Sequence, residues 1–480
     1  MKETINRLTA EASGLELNAA GREELQKQAL SLSHRFFESI DENPAYKPFD
    51  DRELEAILEQ PLDEIGEPAE TVFQTAEHQV FEPGLNVPSG RNFGYIPGSS
   101  LETAAIGDYL AAVTNRYASV YSSSPGAVLL EQRLINWMAN LIGYGKTSGG
   151  YLASGGSIAN LTAVVTARDN AGLSPSDYSN SVVYLTRQTH HCVDRALNIA
   201  GLGTCQRRYI EMDDLFRMKP DALENQILQD ARDGLIPFMI VASAGSTDTG
   251  AVDPLPEIGH IAKKNNIWFH VDAAYGGFFL MVKEGKAAMK GVEMSDSVVL
   301  DPHKGLFLPY GIGALIVKDV NKLAEAHSFT ANYMQDSRAE KQIYSPADIS
   351  PELSKHFRAM RMWLPLKLHG LKIFRSALQE KLLLALYLWG QFREIKQIET
   401  GSEPQLSIFI FRWIPKSGNP NEMNRKLHQE LLKDGRVFLS TTEIDGIFYF
   451  RVAVLSVRTH LAEADMLISV IKEKISELEA

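Results

Sequence analysis

Two short stretches constrain this chain more than any others, because each is a strand of buried type that stops on a group normally held by water. In Asp296-Ser-Val-Val-Leu-Asp-Pro-His-Lys-Gly305 a β-branched run ends in polar residues and delivers Lys304 at its exit. In Asn266-Ile-Trp-Phe-His-Val-Asp-Ala-Ala-Tyr-Gly-Gly277 an aromatic and β-branched run ends on Asp272, with small residues directly after it. Continuous apolar runs of this length read as strands covered on both faces, the mark of a mainly parallel sheet with helices on either side. Ligands of such sheets sit outside the carboxyl ends of the strands. The spacing therefore predicts an amine and a carboxylate at one sheet edge. A lysine after a strand is ordinarily a surface residue, and an aspartate there is ordinarily a helix N-cap. Neither habit explains why the two arrive in successive strands. A desolvated lysine loses part of its preference for the charged form, and the neutral amine is the nucleophile that condenses with a carbonyl.

Bulk properties narrow the partners. A chain of 480 residues that is 44% hydrophobic can bury a large core and has length for more than one domain. A net charge of -12 with no basic block argues against nucleic acid, whose binding draws on clustered Lys and Arg. The two cysteines, Cys192 and Cys205, suit a reducing compartment and lack metal-ligand spacing, so no metal is expected. The amino end carries acid and no apolar core, so it does not read as a secretory signal. Leu382–Trp389, the most apolar stretch, is too short for a bilayer and reads as a buried helix. The expectation is a cytoplasmic protein with no membrane partner.

Further motifs lie in order along the chain. Leu25, Ala29, Leu30, Leu32, Phe36 and Phe37 form an apolar stripe at helical spacing that needs a partner surface, and Asn43-Pro44 and Lys47-Pro48 break that helix from the next. Gly90–Ser100 is a Gly and Pro loop carrying two aromatics. Gly149–Asn160 places glycines before a helical run, Leu161–Arg168. There backbone N–H groups can converge on an anion, although a plain strand-to-helix turn has the same composition. The loop matches neither a Walker nor a Rossmann fingerprint. Ser181–Ala196 is a strand, a polar junction with His190 and His191, and a helix. Pro237–Pro254 is a buried strand with a hydroxyl-rich exit, and 258–264 reads as a crossover helix. Arg358 and Arg361, one turn apart, read as members of solvated salt bridges.

Together, His-Val-Asp-Ala-Ala-Tyr-Gly-Gly and Asp-Pro-His-Lys resemble the cofactor core of the fold-type I, group II decarboxylases, which use pyridoxal phosphate (PLP) to act on aromatic amino acids, glutamate or histidine. The likeness runs from about Phe93 to Arg458. PLP needs an amine to hold its aldehyde and a carboxylate to keep its ring nitrogen protonated. The resemblance assigns these to Lys304 and Asp272. It also implies Gly156 and Ser157 at the phosphate, Thr247 and Ala274 near the ring, and Asp301 and His303 beside Lys304. With Val193 and Ala196 in register, His190 becomes the ring-stacking residue and His191 falls where a serine is common. Tyr95, Ile96, Pro97, Gly98 and Ser354 would meet the substrate, and Tyr333, in the segment Phe329–Arg338, would return a proton to Cα.

The implied architecture is an α/β fold-type I enzyme in three parts. A helical dimerisation arm spans 1–85, a large mainly parallel domain with helices on both faces spans 86–372, and a small α+β domain spans 373–480. The implied activity is decarboxylation of an L-amino acid by a homodimer with both subunits at the site. An aromatic substrate is expected ahead of an acidic or diamino acid. Aminotransfer is a further reading, with Arg451 as its carboxylate-binding candidate. Two residues depart from the family pattern. Asp301 stands where many relatives have asparagine near the phosphate, and Gly305 replaces the tryptophan common in aromatic decarboxylases.

Overall fold

A computed structural model describes residues 1–96, 98–328 and 344–480. Its centre is a seven-stranded sheet of β1 (Gly149–Ala153), β2 (Ser181–Leu185), β3 (Gln206–Tyr209), β4 (Ile236–Ser243), β5 (Trp268–Asp272), β6 (Ser297–Leu300) and β7 (Gly313–Val317), in the order β1-β7-β6-β5-β4-β2-β3. Strands β2 to β6 pair in parallel, while β7 is antiparallel to both β6 and β1.

Side-chain alternation along the strands divides them between two faces. Val182, Ile240, Phe269, Val271 and Leu300 enter a core shared with helices Pro125–Ile142 and Leu255–Asn265. Val183, Met239, Val241 and Trp268 enter another, against helices Gly156–Asn170 and Cys192–Ile199. Both faces are thus covered, which is why the strands read as unbroken apolar runs. The helix after the glycine loop starts five residues before the predicted Leu161, at Gly156 itself. Its first turn therefore lies at the sheet edge.

The helix Arg358–Arg393 links this sheet to a second unit, with non-helical backbone at Gly370 (φ 71°, ψ 156°). Its Met362, Phe374 and Leu378 lie in the first core, and Leu384, Leu388 and Phe392 in the second. Leu382–Trp389 lies inside it, with Leu382, Leu384 and Leu388 buried. The second unit has a four-stranded antiparallel sheet of β8 (Ile398–Thr400), β9 (Ile408–Trp413), β10 (Ser440–Ile444) and β11 (Ile447–Ala453), in the order β8-β9-β11-β10. Asp445 and Gly446 join β10 to β11 with positive φ at both positions, 50° and 77°, as a tight hairpin requires. Phe392 and Phe411 meet at 4.6 Å between ring centroids, and Phe411 stacks on Phe450 at 5.1 Å. Phe93 is buried in the same core, its N–H donating to the Phe438 carbonyl at 2.9 Å.

The amino-terminal helices Lys2–Ala12 and Ala19–Ser39 contain no buried residue. Within the predicted stripe, Leu32, Phe36 and Phe37 are half-buried, whereas Leu25, Ala29 and Leu30 are exposed. One chain covers only the carboxyl-terminal end of that stripe. Among the described residues no helix is long and apolar enough to cross a membrane.

Candidate active site

The carboxyl ends of four parallel strands open into one cavity of about 320 Å³. The exit of β2 supplies Gln188 and His190, that of β4 supplies Ser246 and Thr247, β5 supplies Asp272 and Ala274, and β6 supplies Asp301, His303 and Lys304. Helix Gly156–Asn170 closes the cavity with Gly156, Ser157 and Asn160. Among the described residues a larger hollow of about 520 Å³ lies elsewhere, lined by Gln132, Asn136 and Ser148 and none of these groups. The smaller one carries the convergent amine, carboxylates and helix start, which is what marks a functional site.

Lys304 sits in a single helical turn, Pro302–Gly305, just past β6. Its Nζ lies 3.1 Å from Asp301 Oδ2. Burial is the largest single influence on this amine and lowers its pKa, but the charges of Asp301 and Asp272 together outweigh it and hold the pKa above the usual lysine value. Desolvation was expected to favour the neutral amine. Two carboxylates reverse that balance in this structure.

Asp301 is almost fully buried. Its Oδ2 also lies 3.6 Å from His303 Nε2, while its Oδ1 has no hydrogen-bond partner among the described residues. It is wedged between glycines: a Cβ on Gly156 would come within 2.9 Å of Oδ2, and one on Gly313 within 2.6 Å of Oδ1. His303 donates from Nδ1 to the Ile312 carbonyl, which leaves Nε2 toward Asp301. Burial is the main cause lowering the His303 pKa.

Asp272 terminates β5. Its Oδ1 accepts from the Ala274 N–H at 3.0 Å and its Oδ2 from Asn160 Nδ2 at 3.1 Å. Sequence reasoning overlooked Asn160, which stands one turn into the helix that the glycines begin. Its signal was that i+4 spacing from Gly156, together with the alternating polar residues of β5. Of the two histidines, His190 lines the cavity, and burial is the main cause lowering its pKa; His191 is exposed and is absent from the lining.

The remaining expected residues are placed differently. Tyr95 is exposed, with φ 52°, and its ring packs 5.6 Å from that of Phe438. Ile96 is buried, Ser354 is exposed, and neither lines the cavity of its own chain. Gly98 backs onto the Lys304 turn, where a Cβ would meet the His303 carbonyl oxygen at 2.6 Å. Pro97 and Tyr333 lie outside the described residues. Arg358 and Arg361, expected on a solvated face, are buried instead. Arg358 pairs with Glu352 at 2.9 Å, and Arg361 pairs with Asp108 at 2.6 Å from a helix far away in sequence. Arg451 is also buried. Its guanidinium is taken up by the Thr247, Asp248 and Tyr95 carbonyls and by Ser440 Oγ, and it does not line the cavity.

This donor set suits pyridoxal phosphate. The N-cap residue Gly155 has no side chain to cap the first helical turn, so backbone N–H groups at Gly156 and Ser157 are left for an anion. A carboxylate and an amine stand on the other walls, within range for the Asp272 charge to act on Lys304.

The family model of the pyridoxal-dependent decarboxylase conserved domain matches residues 52–414. The chain is 32% identical to an aromatic-L-amino-acid decarboxylase of Bacillus atrophaeus over 97% of its own length and 98% of that protein's. Among solved structures, the tryptophan decarboxylase of Catharanthus roseus in complex with L-tryptophan superposes with a TM-score of 0.90 at 24% identity, over 96% of this chain and 99% of that one. The glutamate decarboxylase domain of a Vibrio parahaemolyticus protein superposes with a TM-score of 0.84 at 25% identity, over 96% and 97%. The cavity and these likenesses agree: the chain belongs to the group II pyridoxal-dependent decarboxylases and is a PLP-dependent amino acid carboxy-lyase.

Proposed function

We propose that this enzyme decarboxylates an aromatic L-amino acid to its amine, with Lys304 as the covalent anchor of the cofactor. The observation that carries the reading is the single cavity in which the Lys304 amine, the Asp272 carboxylate and the uncapped helix start at Gly156 converge. The aromatic preference is supported by likeness to aromatic-amino-acid decarboxylases of Bacillus atrophaeus and, at 28% identity, to a tyrosine decarboxylase of Petroselinum crispum. Gly305, which departs from the tryptophan of aromatic decarboxylases, has a packing cause. A Cβ there would come within 2.7 Å of the Phe278 Cβ, so Phe278 occupies the space a larger residue would need.

Bound in the cavity, pyridoxal phosphate supplies a sink for the electron pair released when the bond from Cα to the carboxylate breaks. Asp272 would keep a proton on the ring nitrogen as its charge partner. His190, which lines the cavity, would present its flat ring to the cofactor. Gly156 and Ser157 would hold the phosphate, with His303 beside it, and Thr247 and Ala274 would border the ring. Asp301 and Lys304 form a charge pair at 3.1 Å that keeps the amine charged until the aldehyde arrives. Tyr333 is assigned to return a proton to Cα. Tyr95, Ile96, Pro97, Gly98 and Ser354 are assigned to a substrate site completed by a second subunit, since Ile96 and Ser354 do not line the cavity of their own chain. We divide the chain accordingly into an arm (1–85), a cofactor-binding domain (86–372) and a small domain (373–480), acting as a cytoplasmic homodimer.

Aminotransfer is disfavoured because the Arg451 guanidinium is already engaged by three carbonyls and a hydroxyl. Incubating the purified protein and PLP with each common amino acid, while following carbon dioxide, amine and keto acid, tests the reading. Aromatic amines and carbon dioxide in equal amounts are expected. Keto acids, or amines from glutamate or a diamino acid alone, would contradict it.

A further inference from the structure

Strand β5 reads Trp268-Phe-His-Val-Asp272, and its first, third and fifth side chains share the face covered by helix Gly156–Asn170. A polar residue at every second position is out of place in a strand buried on both faces. Each polar atom is nonetheless satisfied, and the partners form one chain. Trp268 Nε1–H donates to Ser297 Oγ at 2.9 Å. Ser297 Oγ lies 2.7 Å from His270 Nδ1, and His270 Nε2 lies 2.8 Å from Asn160 Oδ1. Asn160 Nδ2 donates to Asp272 Oδ2 at 3.1 Å and to Cys192 Sγ at 3.4 Å. Ser297, His270 and Asn160 are at most 1% exposed.

The direction of this chain follows from what each group can do. An indole N–H only donates, and a carboxylate only accepts. The Asp272 carboxylate takes the Asn160 NH2, so Asn160 Oδ1 faces His270 Nε2 as an acceptor, and His270 Nδ1 is left to accept the Ser297 hydroxyl hydrogen. The imidazole then carries its hydrogen on Nε2 and donates to Asn160 Oδ1. Burial, the main influence, pushes the His270 pKa down to about 4, so the ring stays neutral and the chain holds no net charge before Asp272. Flipping the Asn160 amide would aim its oxygen at a carboxylate and its hydrogens at an N–H. Both contacts are repulsive.

We propose that Trp268, Ser297, His270 and Asn160 are positioning residues that act through Asp272: a one-way hydrogen-bond relay that fixes the orientation of the carboxylate and keeps its remaining lone pairs for the cofactor's ring nitrogen. The inference rests on the reading that Asp272 meets that nitrogen. The relay matters because Asn160, with its oxygen unpaired, would be held at Asp272 by a single hydrogen bond. His270 holds the Asn160 oxygen, and Ser297 and Trp268 hold the His270 ring from the far end of β5, four residues from Asp272.

The test uses the full chain reconstituted with PLP and reads two quantities, the PLP dissociation constant and the position of the bound cofactor's visible band. Loss of a hydrogen bond to a charged group weakens binding by about tenfold or more. That loss, with a displaced band, is expected for His270→Phe and Asn160→Leu. His270→Gln keeps a donor where Nε2 stood and should bind PLP within about threefold of the parent, with the parent's band. Equal losses in the Gln and Phe variants would assign the residue to packing and overturn the relay. Ser297→Ala removes one oxygen and no packing, so it carries the same test if the larger changes fail to fold. It should displace the band, and an unchanged band would overturn the relay. Asp272→Asn serves as the separate control. If it binds PLP as tightly as the parent, the underlying assignment of Asp272 fails. If it alone weakens binding, the relay fails and the assignment stands.

Discussion

At the residue scale, the decisive comparison is between burial and charge at Lys304. Burial by itself would release the proton from this amine, and a lysine in an apolar cleft would be neutral and nucleophilic. The structure sets Asp301 at 3.1 Å and brings Asp272 within electrostatic reach, and their summed charge holds the amine protonated. Asp301 was a puzzle in the sequence, since a carboxylate near a phosphate repels it. In the fold it is paired with Lys304, which compensates its charge. Asp301→Asn removes one of the two charges that raise the Lys304 pKa, so that pKa falls and more of the amine is neutral at neutral pH. Each unit of fall gives about tenfold more neutral amine. Stopped-flow absorbance should therefore show faster capture of PLP in the variant at neutral pH, with the difference fading as the pH rises past the lysine pKa. An equal or slower rate would show that Asp301 does not restrain the amine.

At the scale of elements, what the sequence disclosed depended on whether a signal was local. β5 and β6 were legible because a strand covered on both faces reads as an apolar run, and a polar group ending such a run stands out. The Gly155-Gly156 helix start was legible for a similar reason, although the helix begins earlier than its apolar residues suggested. The short edge strands β8 and β10, Ile398–Thr400 and Ser440–Ile444, show no such pattern because their pairing partners define them. Arg358 and Arg361 look like solvated charges until Glu352 and Asp108 are brought to them, and Asp108 lies on a helix some 250 residues away in the chain. Asn160 was hidden because its role appears only when its helix is laid across β5. Residues that act through a partner on another element carry little local signature.

At the scale of the molecule, the parts that one chain leaves uncovered bear on the proposed assembly. Helices Lys2–Ala12 and Ala19–Ser39 bury no residue, and Leu25 and Leu30 remain 39% and 59% exposed. An isolated helix as short as Lys2–Ala12 is marginal in water, and most helical stability comes from packing an apolar face. The proposed homodimer supplies that packing. Removing residues 1–39 should therefore convert a dimer into a monomer in sedimentation velocity and abolish activity, because the substrate residues assigned to the partner would be lost. A truncated chain that stays dimeric and active would place the interface elsewhere. Every part of this functional reading returns to the Lys304 amine as the point of attachment of pyridoxal phosphate. Borohydride reduction of the PLP-loaded enzyme, followed by peptide mass spectrometry, tests that directly. A phosphopyridoxyl group on the peptide carrying Lys304 is the expected result; the group on any other lysine, or on none, would contradict it.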